Sequence, residues 1–249
     1  MKRGNPIFLC LILLTSLLMP ALAIADEQTV NLISPVIESF DPDSITTEWF
    51  IRGSKFVTEG FPKMALVDGW PEALHGRNWD ENKYQVLAIE TKFDRQGYNY
   101  VEIIPVKKND KGELEFNPLA LPGRVKTIDC WVLGTKHDYY LEVHLSDYRG
   151  VVHVLRMGSL QYEGWKNLKA DIPLYIPQSS TYAPHFKGLE LVKFMIWTTP
   201  HEKVDDYIVF IDQVKILTDN FITRFDGDDL LRTETLNEIE WQDPKKTGE

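Results

Sequence analysis

The chain has 249 residues, with 37 acidic side chains against 27 basic ones and a formal net charge of −10, so nucleic acid and anionic membrane surfaces are poor partners for it. Its two cysteines, Cys10 and Cys130, fall one in an amino-terminal apolar run and one in the body, which excludes a disulfide framework. No apolar run beyond the first approaches the roughly 20 residues that a membrane-spanning helix needs.

The chain opens with Lys2 and Arg3, continues through an apolar run from Ile7 to Met19 that Pro20 closes, and then repeats small residues at Ala21, Ala23 and Ala25. This is the pattern of a secretory signal peptide over residues 1–25, cut after Ala23 or Ala25. Cys10 lies inside the apolar run behind the bulky Leu9, so it does not read as a lipid attachment site. The mature chain is then exported, loses two basic residues with its leader, and keeps one cysteine, Cys130. Its stability has to come from a packed core, which a chain of this size can bury as one domain over 26–224.

From residue 30 onward the apolar residues alternate over short runs rich in β-branched and aromatic side chains, with turn formers between them. Strands are expected over Leu32–Phe40, Trp49–Val57, Lys63–Val67, Gln85–Phe93, Tyr98–Val106, Val125–Leu133, Tyr139–Ser146, Val151–Met157, Asn167–Ile172, Leu189–Thr198 and Tyr207–Leu217. Tight turns are expected at Asp94–Gly97, Asn109–Gly112 and Asp147–Gly150, with the first and last closing hairpins. Strands without an intervening helical period imply an all-β fold. We expect an antiparallel β-sandwich of the jelly-roll kind, as in carbohydrate-binding modules and galactose-binding-like domains. Phe194–Trp197 is apolar on both faces and reads as a central strand. In Tyr140–Leu145, Leu141, Val143 and Leu145 share one face, opposite Tyr140, Glu142 and His144. The acidic stretch 225–249 reads as a tail, with a short helix from Gly227 to Trp241 anchored by Leu230, Leu231, Leu236 and Ile239.

No nucleotide or phosphate loop and no Gly-x-Ser-x-Gly elbow is present. The six histidines form no His-x-His or His-x-x-x-His pair of the kind zinc uses; His144 and His153 are placed to face each other across a hairpin. The better metal candidates are Glu38, Asp41 and Asp43 at the end of the first strand and Asp212 in the last. First and last strands of a jelly roll often lie side by side, where hard carboxylate oxygens would suit a structural calcium ion; the alternative is that these acids cap turns. No cofactor is required. Two aromatic-rich stretches, Gly69–Asp80 and Pro173–Gly188, offer Trp70, Trp79, Tyr175 and Tyr182 as partner contacts, to which Trp165 adds a further ring. Trp49, Trp131 and Trp197 are assigned to the core.

The blocks Glu38-Ser-Phe-Asp41, Phe93-Asp-Arg-Gln-Gly-Tyr-Asn99, Ile128-Asp-Cys-Trp131, Val152-His-Val-Leu155, Gly164-Trp-Lys-Asn167 and Val204–Val214 occur in an order that resembles the outer-layer (sheath) proteins of spirochaete periplasmic flagella, the FlaA family. The resemblance runs from about Glu38 to Asp229. It implies a non-catalytic structural protein that coats a flagellin core between the inner and outer membranes, contacts that core and other sheath proteins, and influences filament stiffness and helical shape for motility. It carries over no active residues and implies no membrane insertion. Two readings from other classes stand beside it: a secreted carbohydrate-binding module that stacks sugars on Trp70 or Trp79, and an exported glycosidase or lyase, for which no carboxylate pair can be singled out.

Overall fold

The computed structural model describes residues 30–45, 47–77, 84–178 and 188–220. The leader, the tail, Trp79 and Tyr182 lie outside the described residues. The elements in chain order are β1 (Leu32–Ile33), β2 (Val36–Glu38), β3 (Glu48–Gly53), β4 (Lys63–Asp68), one short helix α1 (Glu72–His75), β5 (Gln85–Thr91), β6 (Tyr100–Lys108), β7 (Leu114–Phe116), β8 (Leu119–Ala120), β9 (Arg124–Thr135), β10 (Tyr140–Ser146), β11 (Val152–Ser159), β12 (Glu163–Asp171), β13 (Glu190–Trp197) and β14 (Tyr207–Asp219).

These strands form two antiparallel sheets. The first runs β12-β9-β14-β5-β4, with β2 and β1 also bonded to β14; the second runs β11-β10-β13-β6-β3, with β7 on β6 and β8 on β13. The expected β-sandwich is therefore the observed fold, and each of the longer expected strands is present within a few residues. The first expected strand is split, because Pro35 has no N–H to give a ladder and interrupts it between β1 and β2.

Alternation along the strands builds the core. In β9, Ile128, Cys130 and Val132 point between the sheets and are fully buried, while Asp129, Trp131 and Leu133 point outward. In β10, Leu141, Val143 and Leu145 point inward and are fully buried, as expected. They meet Leu87 and Ile89 of β5, Val209 and Ile211 of β14, and Phe194 and Ile196 of β13 in one continuous cluster. Burial also pushes the Cys130 thiol well above its ordinary pKa, so it is a packing residue.

Two details differ from the sequence expectation. Asp94–Gly97 does not close a hairpin: β5 pairs with β14 and β4 in the first sheet, and β6 pairs with β13 and β3 in the second, so the turn carries the chain across the sandwich. His144 and His153 do not face each other, because the ladder sets His144 against Val154 and Leu145 against His153.

Asp147–Gly150 does close a hairpin, between β10 and β11. Asp147 is its anchor. The carboxylate is buried, and Oδ1 accepts the N–H groups of Arg149 at 2.8 Å and Val151 at 3.1 Å. Oδ2 accepts from Arg149 Nη2 at 3.1 Å and pairs with His153 Nε2 at 3.0 Å. Burial alone would raise this carboxyl, but the His153, Val151 and Arg149 donors outweigh it and hold the pKa down to about 2. A carboxyl depressed on folding contributes stability above its unfolded pKa and loses it as the pH falls toward the folded value. Replacing Asp147 with alanine leaves buried donors unpaired, and is expected to cost about 2–4 kcal/mol at neutral pH. Thermal melts of the wild type and Asp147→Ala should converge as the pH is lowered toward about 2, and a constant gap across that range would refute the assignment.

Candidate functional site

Three parts of the surface hold the residues that the sequence singles out. The first is a buried acidic corner. β2 runs beside β14, with Glu38 opposite Val214, so the first and last long-range strands are neighbours as expected. Asp212 sits one position before a bulge in β14 at Gln213, whose φ is +49°. Before the bulge, odd-numbered residues point inward; after it, Val214, Ile216 and Thr218 do. Glu38 and Asp212 are both buried, and Asp41 is close enough to raise the pKa of each. Asp43 lies exposed in the following turn.

The carboxylates in this corner already accept from the protein. Glu38 Oε1 takes the Phe40 N–H at 3.0 Å and Oε2 the Trp49 indole N–H at 3.4 Å. Asp41 Oδ1 takes the Gln85 N–H at 3.0 Å, and Asp212 Oδ1 takes the Gln213 N–H at 2.7 Å. Among the described residues, no group of three or more His, Cys, Asp or Glu is arranged to hold a metal ion. The corner thus sets Asp41 near both Glu38 and Asp212, with the carboxylates serving as turn and bulge caps rather than as a preformed cation cage. Desolvation dominates its electrostatics: it lifts Glu38 above the ordinary carboxylate range and pushes Asp212 up to about 7, against the Gln213 N–H that lowers it and with help from Asp41.

The second part is a cleft of about 490 Å³ on the outer face of the first sheet. The ladder places Trp165 of β12, Leu133 of β9 and Phe210 of β14 in one row across three strands. The next row holds Asn167, Trp131 and Asp212. Trp131, Leu133, Trp165 and Phe210 line the cleft together with Trp70, Asp68 and Glu72 from the β4–α1 segment. Trp165 is half-buried here, whereas Trp70 is only 6 % exposed and its indole N–H donates to the Gly76 carbonyl at 2.7 Å. Trp70 packs as part of the wall and offers no open ring for stacking. Trp131, assigned to the core from its apolar neighbours, lies outside the inter-sheet core. Strict alternation with the inward Cys130 and Val132 was the signal for that. Tyr175 is 76 % exposed and stands apart from this lining.

The third part is the outer face of the second sheet. Tyr140, Trp197 and Tyr100 form a row across β10, β13 and β6, so Trp197 also faces outward. The Trp197 indole N–H donates to Glu142 Oε2 at 2.8 Å. Tyr140 stacks on Trp197 on one side, with ring centroids 6.5 Å apart, and the Arg156 guanidinium lies 4.3 Å from its centroid. In the next row Glu102 is held between Arg52 and Lys193, each at 2.5 Å; burial pushes this carboxyl up, but the two cations keep it below its ordinary pKa. His144, beside this network, is lowered by desolvation and by Lys193. The rings and charges around Trp197 and Glu102 are largely spent on one another, while Phe50, Ile104, Leu114 and Phe116 line an open cleft of about 470 Å³ on the same face.

Residues 62–226 match the family model of the flagellar filament outer layer protein FlaA. A flagellar filament outer layer-like protein of Brachyspira hyodysenteriae is 23 % identical over 162 residues, which is 65 % of this chain and 70 % of the relative. Among solved structures, a carbohydrate-binding module of the β-sandwich superfamily is similar at a TM-score of 0.44 and 8 % identity, covering 73 % of this chain and 61 % of its own. The family 11 carbohydrate-binding module of a Clostridium thermocellum cellulase is similar at 0.39 and 9 %, covering 76 % and 96 %. These likenesses concern the fold.

The acidic corner makes a testable demand on stability. A carboxyl raised on folding costs stability above its folded pKa, and the cost fades as the pH falls from there to the unfolded value. Asp212→Asn should therefore stabilise the protein by roughly 2–4 kcal/mol near pH 8 and by almost nothing near pH 4. Thermal melts across this range check it. A variant no more stable than wild type at pH 8 would show that the Asp212 charge is compensated.

Proposed function

The chain belongs to the FlaA family of flagellar filament outer layer proteins, and from that premise we propose that it is a structural coat subunit of a periplasmic flagellar filament, laid over the flagellin core and contributing to filament stiffness and helical shape. The single observation that carries this reading is the family match over residues 62–226, which starts just before β4 and runs through β14. Family and fold both point to a non-catalytic protein. The leader-like start, with its small residues at Ala21, Ala23 and Ala25, supports export to the periplasm. Among the described residues no helix is long and apolar enough to cross a membrane.

A coat subunit needs a rigid body with outward contact surfaces. The sandwich supplies the first, and its two outer faces carry rings and charges that the core does not use. Core flagellin and other sheath proteins are the partners that this reading calls for. A structural calcium ion at Glu38, Asp41 and Asp212 is a separate proposal. The nearness of Asp41 to both Glu38 and Asp212 favours it, while the occupation of these carboxylates by N–H donors and the lack of a three-ligand group among the described residues count against it. A drop in melting temperature on adding EDTA would support it, because an ion bound only to the folded state adds stability by mass action.

Isolation of intact periplasmic filaments is the direct test. The protein is expected in the filament fraction, with its amino terminus at residue 24 or 26 by mass spectrometry, and its deletion should change filament curvature and swimming. Filaments that contain other sheath proteins but lack this one would overturn the reading.

A further inference from the structure

The cleft on the outer face of the first sheet has an unbalanced hydrogen-bonding character. Among the described residues, the polar side-chain atoms that line it, apart from indole nitrogens, are the carboxylates of Asp68 and Glu72, and ionised carboxylates only accept. One indole donor is withdrawn, since Trp70 gives its N–H to Gly76, and Trp131 Nε1 is buried, out of reach of the open cleft, with no hydrogen-bond partner among the described residues. Among the described residues, no lysine, arginine, histidine, amide or hydroxyl side chain is in the lining. Of the nearby cations, one already pairs with a rim carboxylate from an exposed position and the other pairs outside the cleft. Arg77 reaches Glu72 at 2.7 Å from a position 83 % exposed, and Lys215 lies 3.6 Å from Asp129. Asp68 is exposed and receives only the Gln85 amide, at 3.1 Å.

Three ligand chemistries can be compared against this lining. An anion is repelled by the two carboxylates. A sugar offers hydroxyls that donate and accept, and the accepting half would find few donors here. An ammonium or guanidinium only donates, pairs with the carboxylates, and is attracted to the faces of indole rings, the best of the aromatic partners for a cation. Leu133 and Phe210 would cover an apolar side chain next to it.

The geometry points to the Trp131–Trp165 cleft as a docking site for an arginine- or lysine-bearing segment of a partner protein, with the cation between the indoles and Asp68 and Glu72 and an adjoining apolar residue on Leu133 and Phe210. Charge complementarity commits the site to this occupant. The inference rests on the coat-subunit reading only in taking the partner to be a protein of the filament.

Its test uses the purified chain and synthetic peptides, so its failure leaves filament isolation to judge the coat reading independently. Capped tetrapeptides in which leucine is followed by arginine, by lysine or by the isosteric neutral citrulline are titrated while tryptophan fluorescence is followed, with β-1,4-galactotriose as a neutral glycan. A single anchored side chain is expected to bind weakly, with Kd on the order of 0.1–1 mM. Arginine and lysine peptides should bind about 10-fold tighter than the citrulline peptide, a gap of about 1.4 kcal/mol. The exposed pair Asp68→Asn with Glu72→Gln should abolish that gap without changing the melting temperature, and Trp165→Ala should remove most of the fluorescence response. Equal binding of arginine and citrulline peptides, a response to the glycan alone, or no response to any peptide at millimolar concentration would each overturn the proposal.

Discussion

β14 is bonded to β9 along one side and to β5, β2 and β1 in turn along the other, and the first sheet exists only because this strand can face the core along its whole length. Its alternation alone would not allow that. Residues 207, 209 and 211 are inward in its first half and 214, 216 and 218 in its second, and a single change of phase at Gln213 reconciles them. A bulge of this kind gives up local ladder pairing to keep the inner face continuous. The cost appears next to it. Asp212 is carried into a buried position beside Asp41 and opposite Trp131, where desolvation makes its charge expensive.

The phase change also decides what the outer face looks like. With Phe210 outward before the bulge, its ladder neighbours Leu133 and Trp165 fall beside it, and the β4–α1 segment folds Trp70 against the same region. The apolar character of that face is a consequence of register. The second sheet solves the same problem differently: Tyr140, Trp197 and Arg156 pack on each other, and Glu102 draws in Arg52 and Lys193. Pairing on the second face is confined to these groups, since Phe50, Ile104, Leu114 and Phe116 line a cleft of about 470 Å³ beside Arg52 and Lys193, whereas the cleft on the first face is lined by carboxylates and no cation among the described residues.

Much of this was legible in the sequence because strand alternation is a local signal. Leu141, Val143 and Leu145 against Tyr140, Glu142 and His144 needed only the period of two, and the doubly apolar Phe194–Trp197 run identified a central strand, which β13 is. What was not legible depends on contacts between distant segments. Asp94–Gly97 has the composition of a tight turn, but composition sets chain reversal and not the sheet that the next strand joins. Trp131 has the bulk and apolarity of a core residue, but Cys130 and Val132 already occupy the inward phase. Trp70 looks exposed in a loop that carries Gly and Pro, and only the fold shows the Tyr84 ring and the Gly76 carbonyl receiving it. The β7 and β8 strands, of three and two residues, are too short for any periodic signal.

The charge of the chain constrains how such subunits can meet. At a net −10, copies brought side by side repel one another over a screening length of about 8 Å at physiological ionic strength, so close contact has to be made where the partner supplies positive charge or where apolar burial outweighs the repulsion. Many of this chain's own cations are committed internally, among them Arg52 and Lys193 to Glu102, Lys63 to Glu90 and Lys108 to Glu48. On the proposed reading, adhesion therefore favours a surface that accepts a cation and buries an apolar neighbour at once. The first sheet's outer face combines the two requirements: Asp68 and Glu72 stand at the rim of a floor made by Trp131, Leu133, Trp165 and Phe210. The same acidity that makes identical neighbours repel thus helps select a partner with basic side chains, which is how charge confers specificity beyond the affinity it adds.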